Sequence, residues 1–384
     1  MRDSSTDYAD FRRFLFLVRA RHVPISGNLR NLWTSDWRQP VYSAASMFGF
    51  VRATLNPAGY HGPRGRYRPA LPFFEGWYFK LVDAREATRL AVIPGVFHGQ
   101  DPAESHAFVQ VLDGATGQAT YHRYPVEAFQ AAESGFEIQI GPNRFSQTGL
   151  TLDIADRQQT LCGALRFRDP LPVPWPVTLA SPGIMGWYAW APFMECYHGV
   201  LSFNHGLDGE LTLGEQRRDF SGGRGYIEKD WGRSFPAAWI WAQTNHFARA
   251  ETCLSASIAI IPWRGTAFPG FIVGLRHNDR LYRFATYTGA RTRVLDISPD
   301  HVRWVVANRQ HTLEMLAARA QGALLVAPTP TGMDRRIAET LDAKVAVRLS
   351  ETGPNGRCIF EDEGRNAGLE AAGDLDRLRR MIFH

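Results

Sequence analysis

The sequence predicts an all-β protein of 384 residues, with a barrel or sandwich architecture that the chain length suggests is doubled. Its 35 glycines and 23 prolines are spread along the chain, as expected for the turns between many short strands. Aromatic and β-branched residues fill the segments between these turns. Hydrophobic residues make up 45% of the chain, which is enough for a large core.

The predicted elements follow the order of the turns. Residues 1–70 form an irregular arm, because five prolines prevent long helices, with one short helix at 42–53. A Pro-rich link at 169–183 interrupts the strands, and a short helix is expected at 374–381. Strands are predicted at 73–82, 89–97, 106–113, 135–140, 149–154, 160–168, 194–204, 210–214, 223–231, 237–247, 252–262, 270–278, 280–288, 291–298, 301–308, 311–320, 343–350 and 356–364. We place the two β domains at 71–205 and 206–384.

The net charge of +5 is concentrated in the arm. Residues 1–70 contain eleven arginines and four acidic residues, whereas the rest of the chain is close to neutral. Such an arm could rest on an anionic membrane surface, or it could wrap the core as a solvated extension. No nucleic-acid-binding motif accompanies the charge, so nucleic acid is not an expected partner.

Cysteine usage and hydropathy indicate the compartment. The four cysteines are far apart and form no CxxC pair, which favours reduced thiols in a cytoplasmic protein. The apolar run Phe14–Val18 is too short for a signal peptide or a membrane span. We therefore expect a soluble protein whose contact with a membrane, if any, is peripheral.

Segment 224–231 places two acidic side chains on one strand face. Because alternate residues of a strand share a face, Glu228 and Asp230 point one way, and Lys229 and Trp231 point the other. Two enclosed carboxylates repel each other, so one of them should keep its proton near neutrality and act as an acid. The alternative is a surface turn whose charges are solvated.

Segment 237–247 indicates an apolar wall with a polar end. Trp239, Trp241, Gln243 and Asn245 share one face if this segment is a strand. Two indoles followed by two amides suit a ligand with a greasy tail and a polar head. A packed core stripe that ends at solvent is the alternative.

The strand at 194–204 supplies a candidate base. His198 could accept a proton, and Glu195 lies on the opposite face of the same strand. A lone histidine on a strand could equally be a core residue with its hydrogen bonds satisfied. Cys196 and His198 are too few for a metal site, and no other pair has ligand spacing.

Two further segments supply aromatic residues for a pocket. Alternate residues of segment 73–80 point to the two faces of a strand. Segment 181–199 contains several glycines and prolines, as expected for a loop over a pocket mouth. The candidates in them are Glu75, Trp77, Tyr78, Lys80, Trp187 and Tyr188. Phosphate-loop, GxSxG and HExxH motifs are not found in the sequence.

Three blocks of the sequence resemble the tocopherol cyclase family. They are FEGWYFKL (74–81), MGWYAWAPFMECYHGVLSFNH (185–205) and GRGYIEKDWGRSFPAAWIWAQTNHF (223–247). The resemblance runs from about residue 70 to the C-terminus and is strongest in the third block.

The resemblance implies two lipocalin-like β-barrel halves and a reaction without a redox or metal cofactor. A double bond of a prenylated hydroquinone or phenol is protonated, and the phenolic oxygen closes on the tertiary cation to give a chromanol. Such a reaction needs an acid in a dry pocket, aromatic faces near the cation and an acceptor for the phenol proton.

We assign roles as hypotheses. Asp230 or Glu228 is the acid and the other tunes it, while His198 or Glu195 accepts the phenol proton. The substrate-binding candidates are Glu75, Trp77, Tyr78, Lys80, Trp187, Tyr188, Lys229, Trp231, Trp239, Trp241, Gln243 and Asn245. The expected partner is a hydrophobic small molecule.

Three other functions remain open from the sequence. A hydratase of an isoprenoid chain would use the same acid and admit water to the cation. A lipid or quinone carrier would use the pocket without catalysis. A cyclase of another meroterpenoid or a polyketide would share the scaffold, since a fold does not fix a substrate.

Overall fold

The fold was analysed in a computed structural model, which describes residues 44–64, 68–171, 175, 177–353 and 355–383. The chain divides into two units at Met47/Phe48. Of the predicted arm, residues 1–43 lie outside the described residues. The helix that begins at Ala44 starts in the first unit, and all the other described elements belong to the second unit.

The described residues are almost entirely β. The helices are α1 (Ala44–Thr54) and α2 (Leu375–Phe383), with 3-10 segments at Pro102–Glu104, Val126–Ala128, Gly183–Trp190 and Thr286–Thr288. The first sheet contains β1 (Phe73–Val82), β2 (Arg89–His98), β3 (His106–Asp113), β4 (Gln118–Tyr124), β5 (Phe129–Ala131), β6 (Glu137–Ile140), β7 (Asn143–Ser146), β8 (Gly149–Ala155), β9 (Thr160–Leu171), β10 (Cys196–Leu213), β11 (Gln216–Asp219) and β12 (Arg224–Gly232). The second contains β13 (Ala238–Thr244), β14 (Cys253–Trp263), β15 (Thr266–His277), β16 (Arg280–Ala285), β17 (Arg291–Ile297), β18 (His301–Ala307), β19 (His311–Ala318), β20 (Ala323–Thr329), β21 (Gly332–Glu351) and β22 (Cys358–Gly373).

Each sheet curls around a core of its own. The first runs in the order β4-β3-β2-β1-β12-β10-β9-β8-β7-β6-β5, and the second in the order β16-β15-β14-β13-β22-β21-β19-β18-β17. Side chains from strands near both ends of each path meet in one hydrophobic cluster. A third cluster joins the two sheets and includes Tyr78 and Tyr226 of the first with Trp241 and Leu325 of the second. The prediction of an all-β fold with two curled halves and a C-terminal helix is confirmed.

The change from one sheet to the other comes between Gly232 and Ala238. The domain boundary predicted at 205/206 falls inside β10, which is a single strand from Cys196 to Leu213. We therefore propose Gly232–Ala238 as the junction between the two β halves. Among the described residues, no helix is both long enough and apolar enough to cross a bilayer.

Strand β1 lies at the centre of the first sheet because both of its faces are apolar. Nine of its ten residues are buried, as expected for a strand covered on both sides. Antiparallel pairing places Asp230 opposite Gly76 of β1 and opposite His198 of β10. The same pairing places Glu228 opposite Tyr78. The register therefore sets the acidic residues of β12 beside a histidine, a glycine and a tyrosine.

On the other face of β1 and β12, a buried ion pair lies in the core of the first sheet. The Lys229 ammonium donates hydrogen bonds to the Glu75 carboxylate, to His61 Nδ1 (2.9 Å) and to the Gly59 carbonyl (2.6 Å). His61 donates from Nε2 to the Ala53 carbonyl, which leaves Nδ1 free to accept. Both charged side chains are fully buried. This network attaches the segment after α1 to the centre of the sheet.

Replacement of Lys229 by methionine tests how much this pair stabilises the fold. The substitution leaves the Glu75 carboxylate buried without its cation, which we expect to lower the free energy of unfolding by about 3–5 kcal/mol. The double variant Lys229→Met with Glu75→Gln should recover more than half of that loss, because no charge is left behind. Urea unfolding followed by tryptophan fluorescence measures both. A single variant within ~1 kcal/mol of the wild type would contradict a stabilising role.

Candidate active site

A cavity of about 180 Å³ lies between the two sheets. It is larger than the ~30 Å³ that one water molecule occupies, so there is space for a ligand group. Its walls are mainly apolar and aromatic, and they include Phe74, Phe108, Met185, Tyr188, Met194, Phe235, Trp239, Trp241, Phe268 and Phe271. Its ionisable side chains are Tyr78, Tyr188, Cys196, His198, Glu228, Asp230, Tyr287, Glu339 and Glu370. Among the described residues that line it there is no lysine and no arginine.

The 3-10 segment Gly183–Trp190, which borders the cavity, is shaped by one glycine. Gly186 lies within the 3-10 segment at φ 58° and ψ −146°, and a Cβ there would approach the Tyr287 ring to 2.8 Å. Glycine alone adopts this conformation without a clash. The Tyr287 hydroxyl donates to the Ile184 carbonyl (2.7 Å) and fixes the segment that presents Met185 and Tyr188 to the cavity. The predicted loop over a pocket mouth is therefore a short helical segment.

His198 and Asp230 form an ion pair on the first sheet. Nδ1 of His198 lies 2.8 Å from Oδ1 of Asp230, and Nε2 lies 3.7 Å from Oε2 of Glu228. Burial disfavours the imidazolium, but the charges of Asp230 and Glu228 outweigh burial and raise the pKa of His198 to about 9. His198 is therefore positively charged near neutrality.

Glu228 is a buried carboxyl group that faces the cavity. Burial raises its pKa to about 7, and Asp230 adds to the shift, while the positive charge of His198 opposes it. Oε2 accepts hydrogen bonds from the Tyr226 hydroxyl (2.5 Å) and from Trp241 Nε1 (3.1 Å). Because Oε2 has two donors, the proton of the neutral acid resides on Oε1, to which no described residue donates. Glu228 can therefore donate this proton to a ligand in the cavity.

The second sheet contributes two more buried carboxyl groups. Glu339 of β21 lies opposite Glu370 of β22, and the two side chains share a hydrogen bond. The Tyr78 hydroxyl donates to Oε1 of Glu339, and Trp239 Nε1 donates to Oε2 of Glu370 (2.6 Å). Burial raises the pKa of both groups, to about 7 for Glu370 and well above the ordinary value for Glu339. The pair holds one proton between two carboxyl groups near neutrality.

Each sheet supplies a hydrogen-bond donor to a carboxyl group of the other. Tyr78 of the first sheet donates to Glu339 of the second, and Trp241 of the second donates to Glu228 of the first. The rings of Tyr78 and Trp241 pack edge to face with centroids 5.3 Å apart. The acidic groups are therefore positioned by the contact between the sheets.

A metal ion is the other ligand that this group of residues suggests. One ligand atom each from His198, Glu228 and Asp230 lies within 4.8 Å of the others, and no further such group is found in the described part of the chain. A metal-binding imidazole must be neutral, whereas the flanking carboxylates hold His198 in its charged form. A metal ion would therefore compete with the proton on His198 for this site.

Seven of the sixteen candidate residues line the cavity. They are Tyr78, Tyr188, His198, Glu228, Asp230, Trp239 and Trp241. The predicted alternation of faces is observed, because Glu228 and Asp230 face the cavity while Lys229 points to the opposite face of β12. The roles of these residues stay hypotheses.

The other candidates lie outside the cavity. Glu75, Trp77, Lys229 and Trp231 lie on the opposite face of β1 and β12, where the lysine ammonium is 5.0 and 4.7 Å from the two indole rings. Trp187 stacks on Tyr188 with ring centroids 4.0 Å apart and does not line the cavity. Glu195 is half-buried and also lies off the cavity wall.

Three polar candidates are buried along the same interface but do not reach the cavity. Lys80 donates to the backbone carbonyls of Asn366 (2.8 Å) and Gln243 (3.3 Å). Asn245 donates to the side chain of Asn204 and to the carbonyl of Gly225, both at 2.9 Å. Gln243 is fully buried. The amides proposed to hold a polar head group are therefore not positioned for that role.

Sequence reasoning missed Glu339 and Glu370. Glu339 occupies an inward-facing position in a strand whose other inward residues, Ile337, Leu341, Ala343, Val345, Val347 and Leu349, are apolar. That alternation is a usable signal, but the predicted strand began at residue 343 and excluded it. Glu370 follows a run of small and apolar residues without clear alternation, so the sequence offered no comparable sign.

A solved structure shares this fold. The crystal structure of CghA with Sch210972 superposes with a TM-score of 0.50 at 10% sequence identity, and the match covers 79% of this chain and 89% of that chain. At this identity the likeness concerns the fold alone.

Sequence comparison identifies plant relatives. "Probable tocopherol cyclase, chloroplastic" of Oryza sativa subsp. japonica is 28% identical over 207 residues, which cover 51% of this chain and 44% of the relative. "Tocopherol cyclase, chloroplastic" of Zea mays is 27% identical over 202 residues, which cover 49% of this chain and 41% of the relative. The match thus spans less than half the length of either relative.

The family assignment comes from the C-terminal part of the chain. A family model described as tocopherol cyclase-like matches residues 169–373, which is more than half of the sequence. The matched region contains His198, Glu228, Glu339 and Glu370. The chain therefore belongs to the tocopherol cyclase-like family.

Proposed function

We propose that this protein is an acid–base cyclase that protonates the prenyl double bond of a prenylated hydroquinone or phenol and closes a chromanol ring. The observation that carries the proposal is the buried carboxyl group of Glu228, whose pKa burial raises to about 7, in a cavity with aromatic walls. The names of the plant relatives support the class of substrate. The family resemblance supports a reaction that needs no metal or redox cofactor.

The proposed reaction is an isomerisation. Glu228 donates its Oε1 proton to one alkene carbon, and the π electrons of the double bond form the new C–H bond. The other alkene carbon becomes a tertiary cation, and a lone pair of the phenolic oxygen forms the C–O bond. The phenolic proton then leaves to a base, so one proton enters and one proton leaves.

The cavity favours a cation over bulk solvent. Indole and phenol faces attract positive charge, and Tyr78, Trp239 and Trp241 present such rings near Glu228. The lining contains acidic groups without a lysine or arginine among the described residues. The His198 imidazolium also lines the cavity, paired with Asp230 at 2.8 Å, so the aromatic faces and the acidic groups of the second sheet are what would stabilise a developing positive charge on the substrate.

His198 is suited to support the acid. Since its charged form is favoured up to a pKa of about 9, it is a poor proton acceptor at neutral pH. Its Nε2 lies 3.7 Å from Oε2 of Glu228, where a positive charge stabilises the carboxylate that remains after proton donation. We propose this role for His198, with Asp230 holding the imidazolium in place.

Contact with a membrane stays a proposal. A prenylated substrate would reside in a membrane, and the basic arm at 1–70 could either rest on an anionic surface or wrap the core. Residues 1–43 of that arm lie outside the described residues.

Incubation in deuterated water tests the reaction. A geranyl-substituted hydroquinone should yield a chromanol with one deuterium fixed at carbon, because Glu228 exchanges its proton with solvent. Glu228→Gln removes the acid and should reduce turnover by at least about 100-fold. Mass spectrometry of the product measures both effects.

The control for this test is Glu215→Gln, an exposed residue in the turn before β11. It should cyclise the substrate at the wild-type rate. A wild-type protein that returns unchanged ligand would favour a carrier, and a tertiary alcohol as product would favour a hydratase.

The protonated form of Glu228 is the active form, so the rate should depend on pH. Burial raises the pKa of this group to about 7, and we expect kcat/KM to fall as the pH rises through that value. A pH–rate profile measures this basic limb. A rate that stays constant between pH 6 and about 9 would reject Glu228 as the acid.

Replacement of Trp241 by phenylalanine tests in which direction the basic limb of the pH–rate profile moves. Nε1 of Trp241 donates to Oε2 of Glu228 and lowers the pKa of that group. Phenylalanine keeps an aromatic face but cannot donate, so the basic limb should move to higher pH. A shift to lower pH would contradict the assignment of this limb to Glu228.

A further inference from the structure

The proposed cyclisation requires a base, and the first sheet does not supply one. His198 carries a proton near neutrality, and Asp230 is ion-paired with it at 2.8 Å. Glu195 lies off the cavity wall. The acceptor of the phenolic proton must therefore be sought among the other groups that line the cavity.

Glu370 of the second sheet faces the cavity with one oxygen already held. Trp239 Nε1 donates to Oε2 (2.6 Å), which fixes the carboxyl group on β22. On the neighbouring strand β13, Trp241 lies opposite Glu370, and Trp239 lies opposite Ala372. This places a carboxylate next to the aromatic wall at which a cation would form.

Glu339 completes the arrangement as the protonated partner. Its Oε1 accepts from the Tyr78 hydroxyl, and its buried Oε2 has no donor among the described residues. The two side chains share a hydrogen bond, and burial raises the pKa of Glu339 well above its ordinary value but that of Glu370 only to about 7. Of the two, Glu339 therefore holds a proton more tightly, and Glu370 is the member that can be the carboxylate.

We propose that Glu370, oriented by Glu339, is the catalytic base that removes the proton from the phenolic hydroxyl of the substrate. This assignment rests on the proposed cyclisation. As the ring oxygen bonds to the tertiary carbon, the O–H bond breaks and its proton passes to the Glu370 carboxylate. Glu339 is a positioning residue, since it acts through Glu370.

Each sheet carries out one of the two proton transfers. Glu228 of the first sheet donates a proton to carbon, and Glu370 of the second sheet takes one from oxygen. Solvent or a protein path must afterwards return Glu228 to the acid form and Glu370 to the carboxylate. No redox partner or second substrate enters this balance.

Several ionisable groups bear on the protonation of Glu370. They are Glu339 of β21, Asp230 and Glu228 of β12, His198 of β10 and Tyr78 of β1. Burial and Asp230 favour the neutral form, whereas the indole of Trp239, the hydroxyl of the protonated Glu339 and the charge of His198 favour the carboxylate. The rate should therefore decline at acidic pH, where this set of groups gains a proton.

Isosteric variants separate the roles of the two glutamates. Glu370→Gln removes the base and should lower kcat for the geranyl-substituted hydroquinone by at least about 100-fold. The residual rate of this variant should no longer decline at acidic pH. Glu339→Gln keeps an N–H donor toward Glu370 and a carbonyl acceptor for Tyr78, so it should retain at least about a tenth of the rate and keep the acidic limb.

Two controls distinguish catalysis from structure. Glu363→Gln changes an exposed residue on the same strand, β22, and should cyclise normally. The substrate with the hydroxyl next to the prenyl chain methylated cannot close the ring, and its inhibition constant should change by less than about threefold in Glu370→Gln if the cavity is intact. A rise in that constant as large as the fall in rate would show a binding role and overturn the proposal.

The outcomes separate this inference from the function on which it rests. If the wild type forms no deuterated chromanol, the proposed function fails. If the wild type cyclises and Glu228→Gln does not, but Glu370→Gln cyclises within about threefold of the wild type or keeps the acidic limb, the proposed function stands and Glu370 is not the base.

Discussion

The structure depends on the hydrogen-bond donors that the two sheets supply to buried carboxyl groups. A carboxyl group enclosed in an apolar interface is costly to ionise, so it stays neutral or shares a proton, and it requires hydrogen-bond donors. Tyr226 and Trp239 donate within their own sheets, whereas Trp241 donates to Glu228 and Tyr78 donates to Glu339 across the interface. Neither set of carboxyl groups is complete unless both sheets are in contact. The candidate active site is therefore a property of the interface between the two halves, which explains why its polar residues lie on strands far apart in the sequence.

The period of two along a strand keeps the Lys229 ammonium away from the cavity. Lys229 lies between Glu228 and Asp230 in the sequence, yet its ammonium is directed to the opposite face of β12, where it pairs with Glu75. Were a lysine to reach the cavity, it would lower the pKa of the acid and repel a cation on the substrate. A shift of the β12 register by one residue would exchange the two faces. The ion pair in the core of the first sheet thus favours the register that leaves Glu228 and Asp230 in the cavity.

Local patterns in the sequence predicted local structure well and predicted long-range neighbours poorly. Alternation correctly placed Glu228 with Asp230 and Trp239 with Trp241, because a face is fixed within one strand. The same alternation could not show that β1 has two buried faces, so Glu75 and Trp77 were grouped with Tyr78 although they lie in a different core. Gln243 and Asn245 share the face of Trp241 but lie beyond the cavity, whose extent depends on the packing of the second sheet. Glu339 was missed because the strand predicted at 343–350 began after it, and Glu370 because β22 pairs with β13, more than a hundred residues earlier in the chain.

An isomerisation by proton transfer needs one group that holds a proton and one that lacks it at the same pH. Two isolated carboxyl groups in equal surroundings would titrate together and could rarely be found in opposite states. In this cavity the two sheets create unequal surroundings from similar side chains. Glu228 receives hydrogen bonds from a phenol and an indole on one oxygen, whereas Glu370 receives one from an indole and shares one with a second carboxyl group, Glu339, whose pKa is raised well above its ordinary value by burial. The difference between acid and base would then arise from which neighbour donates to which oxygen, and not from the identity of the residue.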